Sequence, residues 1–260
     1  AQCILISKDQ EMIQKVRKEV FRQLKDIPRV SVAKKSLIAN GILINTNSDR
    51  KIVEVINKIA PEHLELNVKN YRSLIPKIKD AIKEIGGGDL VYTINTHWHF
   101  DHAEGNLALD PKITKIISQS NAREYMAKGG LIDMVANRIN QEPYPDYALP
   151  VITYENGMTL YFNNEEIEIV HFGPAHTSGD SAVIFHNQNA VHYGDVFVTE
   201  GYPFIDVSSG GSIDGIINFL SKSLTKLKPG AIILPGHGEI ATIQDVEDTI
   251  IMLKLSLIHI

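Results

Sequence analysis

Apolar residues recur at helical spacing through the first 88 residues, where helical stretches alternate with short apolar runs. The first predicted helix follows Ser7 and Gln10, which form a capping-box pattern. Ser48 is expected to cap a later helix. The same pattern predicts further elements, with helices over about 48–60 and 74–85 and strands over 42–44 and 63–67. This alternation predicts an α/β arrangement.

Short strands set the pattern after residue 88. The apolar run 90–94 leads directly into the sequence THWHFDH. Further strands are predicted over 151–154, 158–162, 166–172, 181–186, 190–193 and 231–234. Turn signals such as Asn156-Gly157 separate them, and helices are expected over about 212–226 and 243–255. Because polar segments follow several of these strands, we expect their loops to gather at one edge of a sheet.

Composition narrows the possible partners. Of 260 residues, 43% are apolar and 22% are charged, which is ordinary for a globular protein. The net charge of -5 provides no basic footprint for nucleic acid. No apolar run approaches membrane-spanning length, so no membrane partner is expected. The single cysteine, Cys3, excludes an intramolecular disulfide, and no export signal is visible, which favours a cytoplasmic location.

A dense set of potential metal ligands follows the strand at 90–94. His97, His99, Asp101 and His102 fall within six residues. Imidazole and carboxylate groups suit zinc, and also iron or manganese. The competing interpretation is a histidine-rich surface loop without a metal. Three downstream residues favour the metal site because each also follows an apolar strand: His176 in AHTSGDS, Asp195 in YGD and His237 in PGHG.

With these motifs in place, residues from about 74 to 241 resemble the metallo-β-lactamase fold superfamily, whose HxHxDH motif matches residues 97–102. The resemblance implies an αββα sandwich, here lacking its usual first strands, with metals at one edge of the sheets. It implies two Zn²⁺ ions per chain, with iron or manganese as alternatives. The implied ligands are His97, His99 and His176 for the first ion, Asp101, His102 and His237 for the second, and Asp195 as the bridge.

That resemblance implies a hydrolase acting on a small-molecule ester, thioester, lactone or phosphodiester. Two such ions share a water, lower its pKa and make hydroxide available at neutral pH. Asp101 would orient this water or accept its proton. Asp195 favours the glyoxalase II, lactonase and phosphodiesterase branches over β-lactam hydrolysis.

Several neighbouring residues have two interpretations. Thr96, Thr177 and Asp180 are either partners that orient the histidines or turn caps. Residues 202–206 either line the substrate pocket or form a plain loop before a helix that Ser212 caps.

The segment from about residue 2 to 79 resembles the C-terminal half of histidinol dehydrogenase, on the sequences VAKKSLIANGILI and KIAPEHLELNV. That family uses NAD and zinc, and the resemblance implies that His63 is a general base assisted by Glu62. The family's zinc ligands and nucleotide-binding segments lie outside the match, which argues against this activity. An NAD-dependent dehydrogenase is therefore kept only as the alternative function.

The organisation expected from both resemblances has three parts. Residues 1–74 are a histidinol dehydrogenase-like α/β fragment, 75–242 a metallo-β-lactamase-like hydrolase domain, and 243–260 a C-terminal helix with a foreign tail. Because the join cuts into both families, the chain is interpreted as a chimera. A non-catalytic chimeric product is therefore a further alternative. The sequence leaves the oligomeric state open.

Overall fold

A computed structural model of the chain describes residues 4–25, 30–59, 89–134 and 137–258. The chain divides into two compact units, residues 1–88 and 89–260. The predicted helix over 74–85 and the predicted strand over 63–67 lie outside the described residues. Within the described ranges, no helix is both long enough and apolar enough to cross a membrane.

The first unit is a small α/β arrangement. Its parallel strand pair and its helices are β1 (Ile4–Ser7), β2 (Ile42–Asn45), α1 (Gln10–Gln23), α2 (Val30–Asn40) and α3 (Asp49–Ile59). The predicted capping box is wrong, because Asp9 caps α1 by accepting hydrogen bonds from the N–H groups of Glu11 and Met12 at 2.8 and 3.0 Å. Ser7 ends the strand instead. The predicted cap of α3 is confirmed, since the Ser48 hydroxyl accepts from Lys51 N–H at 3.2 Å.

The second unit contains two larger sheets and a hairpin. The five-stranded sheet has the order β12-β11-β10-β9-β8, where the strands are β8 (Gly157–Phe162), β9 (Glu165–Val170), β10 (Ala182–Phe185), β11 (Ala190–His192) and β12 (Ile232–Leu234). The three-stranded sheet is parallel and consists of β3 (Tyr92–Ile94), β4 (Lys115–Gln119) and β7 (Ile152–Tyr154). The hairpin pairs β5 (Gly130–Met134) with β6 (Asn137–Gln141).

Helices cover the outer sides of these sheets. They are α5 (Ser120–Lys128), α6 (Ile213–Leu224) and α7 (Ile243–Ile258), whereas the short helix α4 (Phe100–Ala103) lies in the segment that follows β3. The predicted cap of α6 is confirmed, because the Ser212 hydroxyl accepts from Gly215 N–H at 3.0 Å. Residues 254–258 continue α7 beyond its last buried residue, Leu253, and are exposed.

The core follows the alternation of side chains along the strands. On β10, Ile184 packs among apolar residues of α6 and α7, whereas the neighbouring Val183 packs against the three-stranded sheet through Ile117 and Tyr154. On the far side, α5 lies against β4 and β7. The layers are therefore helix, sheet, sheet and helix, which confirms the expected αββα sandwich in a mixed α/β chain.

The direction of the strands brings several loops to one edge. Since β10 is antiparallel to both β9 and β11, and β12 is parallel to β11, the strands β9, β11 and β12 run in the same direction. Their C-terminal ends consequently share one edge of the five-stranded sheet. The segments that follow these strands contain His176, Asp195 and His237.

Candidate metal centre

The motif after β3 combines a bend over residues 96–98 with one helical turn. His97 lies in the bend and His99 follows it, and their rings come together with centroids 4.8 Å apart. His99 is the N-cap residue of α4, with φ -61° and ψ 147°, and its carbonyl accepts from His102 N–H and Ala103 N–H at 3.0 Å each. The change from extended to helical backbone at His99 lets the following Asp101 and His102 join the same cluster.

Seven predicted ligands form two groups that share one residue. The first group is His97, His99, His176 and Asp195, and the second is Asp101, His102, His237 and Asp195. In each group the potential ligand atoms all lie within 4.8 Å of one another. The first group is the more deeply buried, because His97, His99 and His176 are 1%, 4% and 0% exposed.

Asp195 faces both groups through different oxygens. Its Oδ2 lies 4.0 Å from His97 Nε2 and 3.8 Å from His176 Nε2. Its Oδ1 lies 3.0 Å from His102 Nε2 and 3.3 Å from His237 Nε2. Asp101 completes the second group, with its Oδ2 at 3.4 Å from His102 Nε2 and 3.3 Å from His237 Nε2.

The tautomers of two histidines leave lone pairs inside the first group. His176 Nδ1 lies 2.8 Å from the Phe204 carbonyl, which can only accept, so this nitrogen carries the proton and Nε2 has a free lone pair. His99 Nε2 lies 3.0 Å from Asp206 Oδ2, which leaves the lone pair of Nδ1 free in the same way. These two free nitrogens stand 3.0 Å apart.

A cation accounts for this arrangement. Two lone pairs that face each other repel, and a metal ion between them would convert the repulsion into coordination. His97 Nε2 is also buried and has no hydrogen-bond partner among the described residues. An unpaired buried nitrogen is costly unless it binds something, so the donor set fits a metal ion.

The two groups differ in their protonation. Burial lowers the pKa of His176 to about 4 and holds that of His97 well below its usual value. In the second group, burial opposes protonation of His102, but hydrogen bonds with Asp101 and Asp195 raise its pKa to about 9. Hydrogen bonds with the same carboxylates raise the pKa of His237 to about 10.

We expect this difference to separate the two groups by pH. His102 and His237 must each release a proton to bind an ion, so the affinity of the second group falls as pH drops below their pKa values of about 9 and 10. The loss can reach about 100-fold per pH unit when two protons must leave, whereas His97 and His176 are already neutral.

Single-site variants make this difference measurable. His237→Ala keeps the first group and His97→Ala keeps the second, so zinc affinity can be measured for each between about pH 6 and pH 8. A steep pH dependence is expected only for His97→Ala. Equal slopes in the two variants would contradict the assigned protonation states.

Thr96, Thr177 and Asp180, which were predicted either to orient the histidines or to cap turns, have different roles. Thr96 Oγ1 lies 3.2 Å from His97 Nδ1 and so contacts a histidine directly. Asp180 is buried and accepts from Thr177 N–H and Thr177 Oγ1, both at 2.8 Å, and from Ala175 N–H at 3.2 Å. Asp180 therefore stabilises the turn that carries His176. Burial raises the pKa of Asp180 to about 7.

The sequence did not predict two contacts that residues 202–206 make with candidate metal ligands. Residues 202–206 were predicted to form either a pocket wall or a plain loop, but Phe204 and Asp206 bond His176 and His99. The only available signal was that this segment lies shortly after Asp195. Glu62 and His63, the residues expected for the dehydrogenase alternative, lie outside the described residues.

An αββα sandwich with histidine and aspartate clusters at the sheet edge is typical of metal-dependent hydrolases, and this chain has that arrangement. The family model described as "Metallo-beta-lactamase superfamily" matches residues 70–237. The chain belongs to the metallo-β-lactamase superfamily.

Solved structures are similar over most of the chain. A metallo-β-lactamase from Pontibacter korlensis is 16% identical, with a TM-score of 0.55 over 72% of this chain and 77% of that chain. The DIM-1 metallo-β-lactamase is 18% identical, with a TM-score of 0.54 over 70% of this chain and 78% of that chain. At these identities, the similarity establishes the fold.

A second family model, histidinol dehydrogenase, matches residues 1–85. Over 81 residues, or 31% of this chain, the segment is 60% identical to the histidinol dehydrogenase of Pelagibacter ubique and 38% identical to that of Hydrogenovibrio crunogenus. The chain spans 19% of the length of each of these relatives. Both resemblances expected from the sequence are thus confirmed.

Proposed function

We propose that this chain is a hydrolase that uses two divalent metal ions, one in each group, with Asp195 as their shared ligand. The observation that carries the proposal is the orientation of Asp195, whose Oδ2 faces His97 and His176 and whose Oδ1 faces His102 and His237. A carboxylate in this position can bind one ion through each oxygen. Nitrogen and oxygen donors suit zinc, with iron or manganese as alternatives.

The ions, when bound, would supply Lewis acidity toward a carbonyl or phosphoryl oxygen and would lower the pKa of water. Two histidines of the first group, His99 and His176, present lone pairs because Asp206 and Phe204 hold their protons on the opposite nitrogens. Asp101 is the more accessible of the two carboxylates in the second group, with 27% of its side chain exposed against 11% for Asp195. Asp101 is therefore our candidate to orient a water molecule and accept its proton.

We propose a small-molecule substrate that contains an ester, thioester, lactone or phosphodiester. Each of these places an electrophilic centre beside an oxygen that a Lewis acid can polarise.

Elemental analysis of the purified protein tests the two-ion site. We expect about two ions per chain in the wild type, as a dinuclear mechanism requires, and loss of both in the His99→Ala, Asp195→Ala double variant. His186→Ala is a matched control, because His186 belongs to neither group. Its Nε2 lies 3.1 Å from Glu168 Oε2. Folded wild-type protein without bound metal would overturn the proposal. Bound metal would justify screens of all four substrate classes.

The identity of the first segment to histidinol dehydrogenases supports one alternative, NAD-dependent oxidation of histidinol. Under this alternative, histidinol would drive NADH formation, and His63→Ala would abolish it. The hydrolase is favoured because its whole ligand set is assembled among the described residues.

A further inference from the structure

One buried carboxylate next to the metal groups is not a member of either of them. Asp206 is 1% exposed, and its Oδ2 lies 3.0 Å from His99 Nε2, a residue 107 positions away in the chain. The Ser209 hydroxyl donates to the same oxygen at 2.5 Å, and the Ser208 hydroxyl contacts Oδ1. Asp206 is thus surrounded by donors, and one of them is a candidate metal ligand.

The chemistry of this contact determines the tautomer of His99. An ionised carboxylate can only accept hydrogen bonds, so His99 must carry its proton on Nε2. The other nitrogen, Nδ1, then has a free lone pair and stands 3.0 Å from His176 Nε2. Without Asp206, both tautomers of His99 would be available, and only one of them places its lone pair in the first group.

The same stretch of chain orients His176. We define the supporting segment as residues 204–212. The Phe204 carbonyl accepts from His176 Nδ1–H at 2.8 Å, and Asp206 N–H donates to the His176 carbonyl at 2.9 Å. The Phe204 ring also stacks on His99, with ring centroids 6.1 Å apart and planes 29° apart.

Backbone hydrogen bonds hold the supporting segment against the His176 turn. Ser178 N–H donates to the Ser209 carbonyl, and Ser212 N–H donates to the Ala175 carbonyl, both at 2.8 Å. A side chain at Gly211 would collide with the His176 carbonyl oxygen. The close approach of these backbones leaves Asp206 little freedom to move away from His99.

We infer that Asp206 is a positioning residue, which fixes His99 in the tautomer that directs Nδ1 into the first metal group. This inference rests on the proposed function. Its effect is specific to the first group, because the Nε2 atoms of His102 and His237 face Asp101 and Asp195 instead. Carboxylates that orient metal-bound histidines in this way typically strengthen metal binding by about 10–100-fold.

The first arm of the test measures zinc affinity by competition with a chelator. In the His237→Ala background, which isolates the first group, we expect Asp206→Ala to weaken zinc binding by about 10–100-fold. Asp206→Asn should have a smaller effect, because its amide oxygen can still accept from His99. In the His97→Ala background, which isolates the second group, neither change should alter the affinity.

The second arm measures the tautomer itself in metal-free protein. Nitrogen-15 NMR of labelled histidines distinguishes Nδ1–H from Nε2–H rings, and His99→Ala assigns the signal. We expect His99 to be Nε2–H in the wild type and a mixture of tautomers in Asp206→Ala. Asp245→Ala is the matched control, because Asp245 also caps a turn, accepting from Thr242 N–H at 2.8 Å, without contacting a histidine.

The outcomes separate positioning from a structural role. An Asp206→Ala protein with wild-type zinc affinity and an unchanged His99 tautomer would overturn the inference. Equal losses in both groups, together with a lower melting temperature of the metal-free protein, would also overturn it. If Asp206→Ala does not fold, Asp206→Leu provides both measurements, because leucine is of similar size and cannot accept a hydrogen bond from His99. Wild-type protein that binds no zinc would contradict the proposed function, but the NMR arm would still test Asp206.

Discussion

Replacing Asp195 with asparagine is expected to lower hydrolysis by about 1,000-fold or more and to leave at most one tightly bound ion per chain. The carboxylate directs one oxygen toward each group, whereas an amide offers a single oxygen and an N–H₂ group that repels a cation. The change keeps the size of the side chain, so the fold should survive. The rate loss corresponds to several kcal/mol of transition-state stabilisation.

The measurement combines metal content with the rate on whichever substrate the wild type hydrolyses. Asp214→Asn is the control, because Asp214 is exposed in the first turn of α6 and carries the same charge. An Asp195→Asn protein that retains two ions and at least about a tenth of the wild-type rate would rule out the shared-ligand role.

A single methyl group at Gly236 is expected to disrupt the site almost as severely. The backbone of Gly236 approaches Asp195 so closely that an added Cβ would collide with Asp195 Oδ1 and would lie 2.5 Å from the Gly194 carbonyl carbon. Gly236 N–H also donates to the Gly194 carbonyl at 2.8 Å, which holds it in place. The Asp195 carboxylate must therefore shift, and the second group loses its shared oxygen.

We expect Gly236→Ala to lose the second ion and about 1–3 kcal/mol of stability, the usual cost of overpacking. Gly105→Ala is a stringent control, because no atom lies within 4 Å of a Cβ at that position. Metal content and melting temperature of the two variants give the comparison. Wild-type metal content in Gly236→Ala would show that Asp195 does not need its present position.

The sequence predicted the fold best where one side of an element is clearly apolar. Helices α6 and α7 and strands β8 and β9 lie close to their expected positions, because alternation and helical spacing determine which side is buried. Helix α2 was not predicted, since the apolar residues of Val30–Asn40 do not fall on one face. The domain boundaries at residues 74 and 242 remain a prediction, and the structure divides the chain at residue 88.

In the site, too, the sequence predicted the residues that form a local pattern and missed those that depend on packing. The candidate ligands could be found because four of them fall within six residues and the other three follow strands. Asp206 could not, because its contact with His99 joins positions 107 residues apart and depends on how two loops pack. The cap of α1 was misassigned for a local reason, since Ser7 and Asp9 both offer an acceptor and the extent of β1 decides between them.

The position of Asp195 between the two groups has a thermodynamic consequence. Under the proposed function, binding of an ion in one group fixes a carboxylate that the other group also uses. The free energy of binding in each group then depends on occupancy of the other, and this coupling is reciprocal. The two groups would then not titrate independently, because occupancy of either one changes the affinity of the other by the same factor.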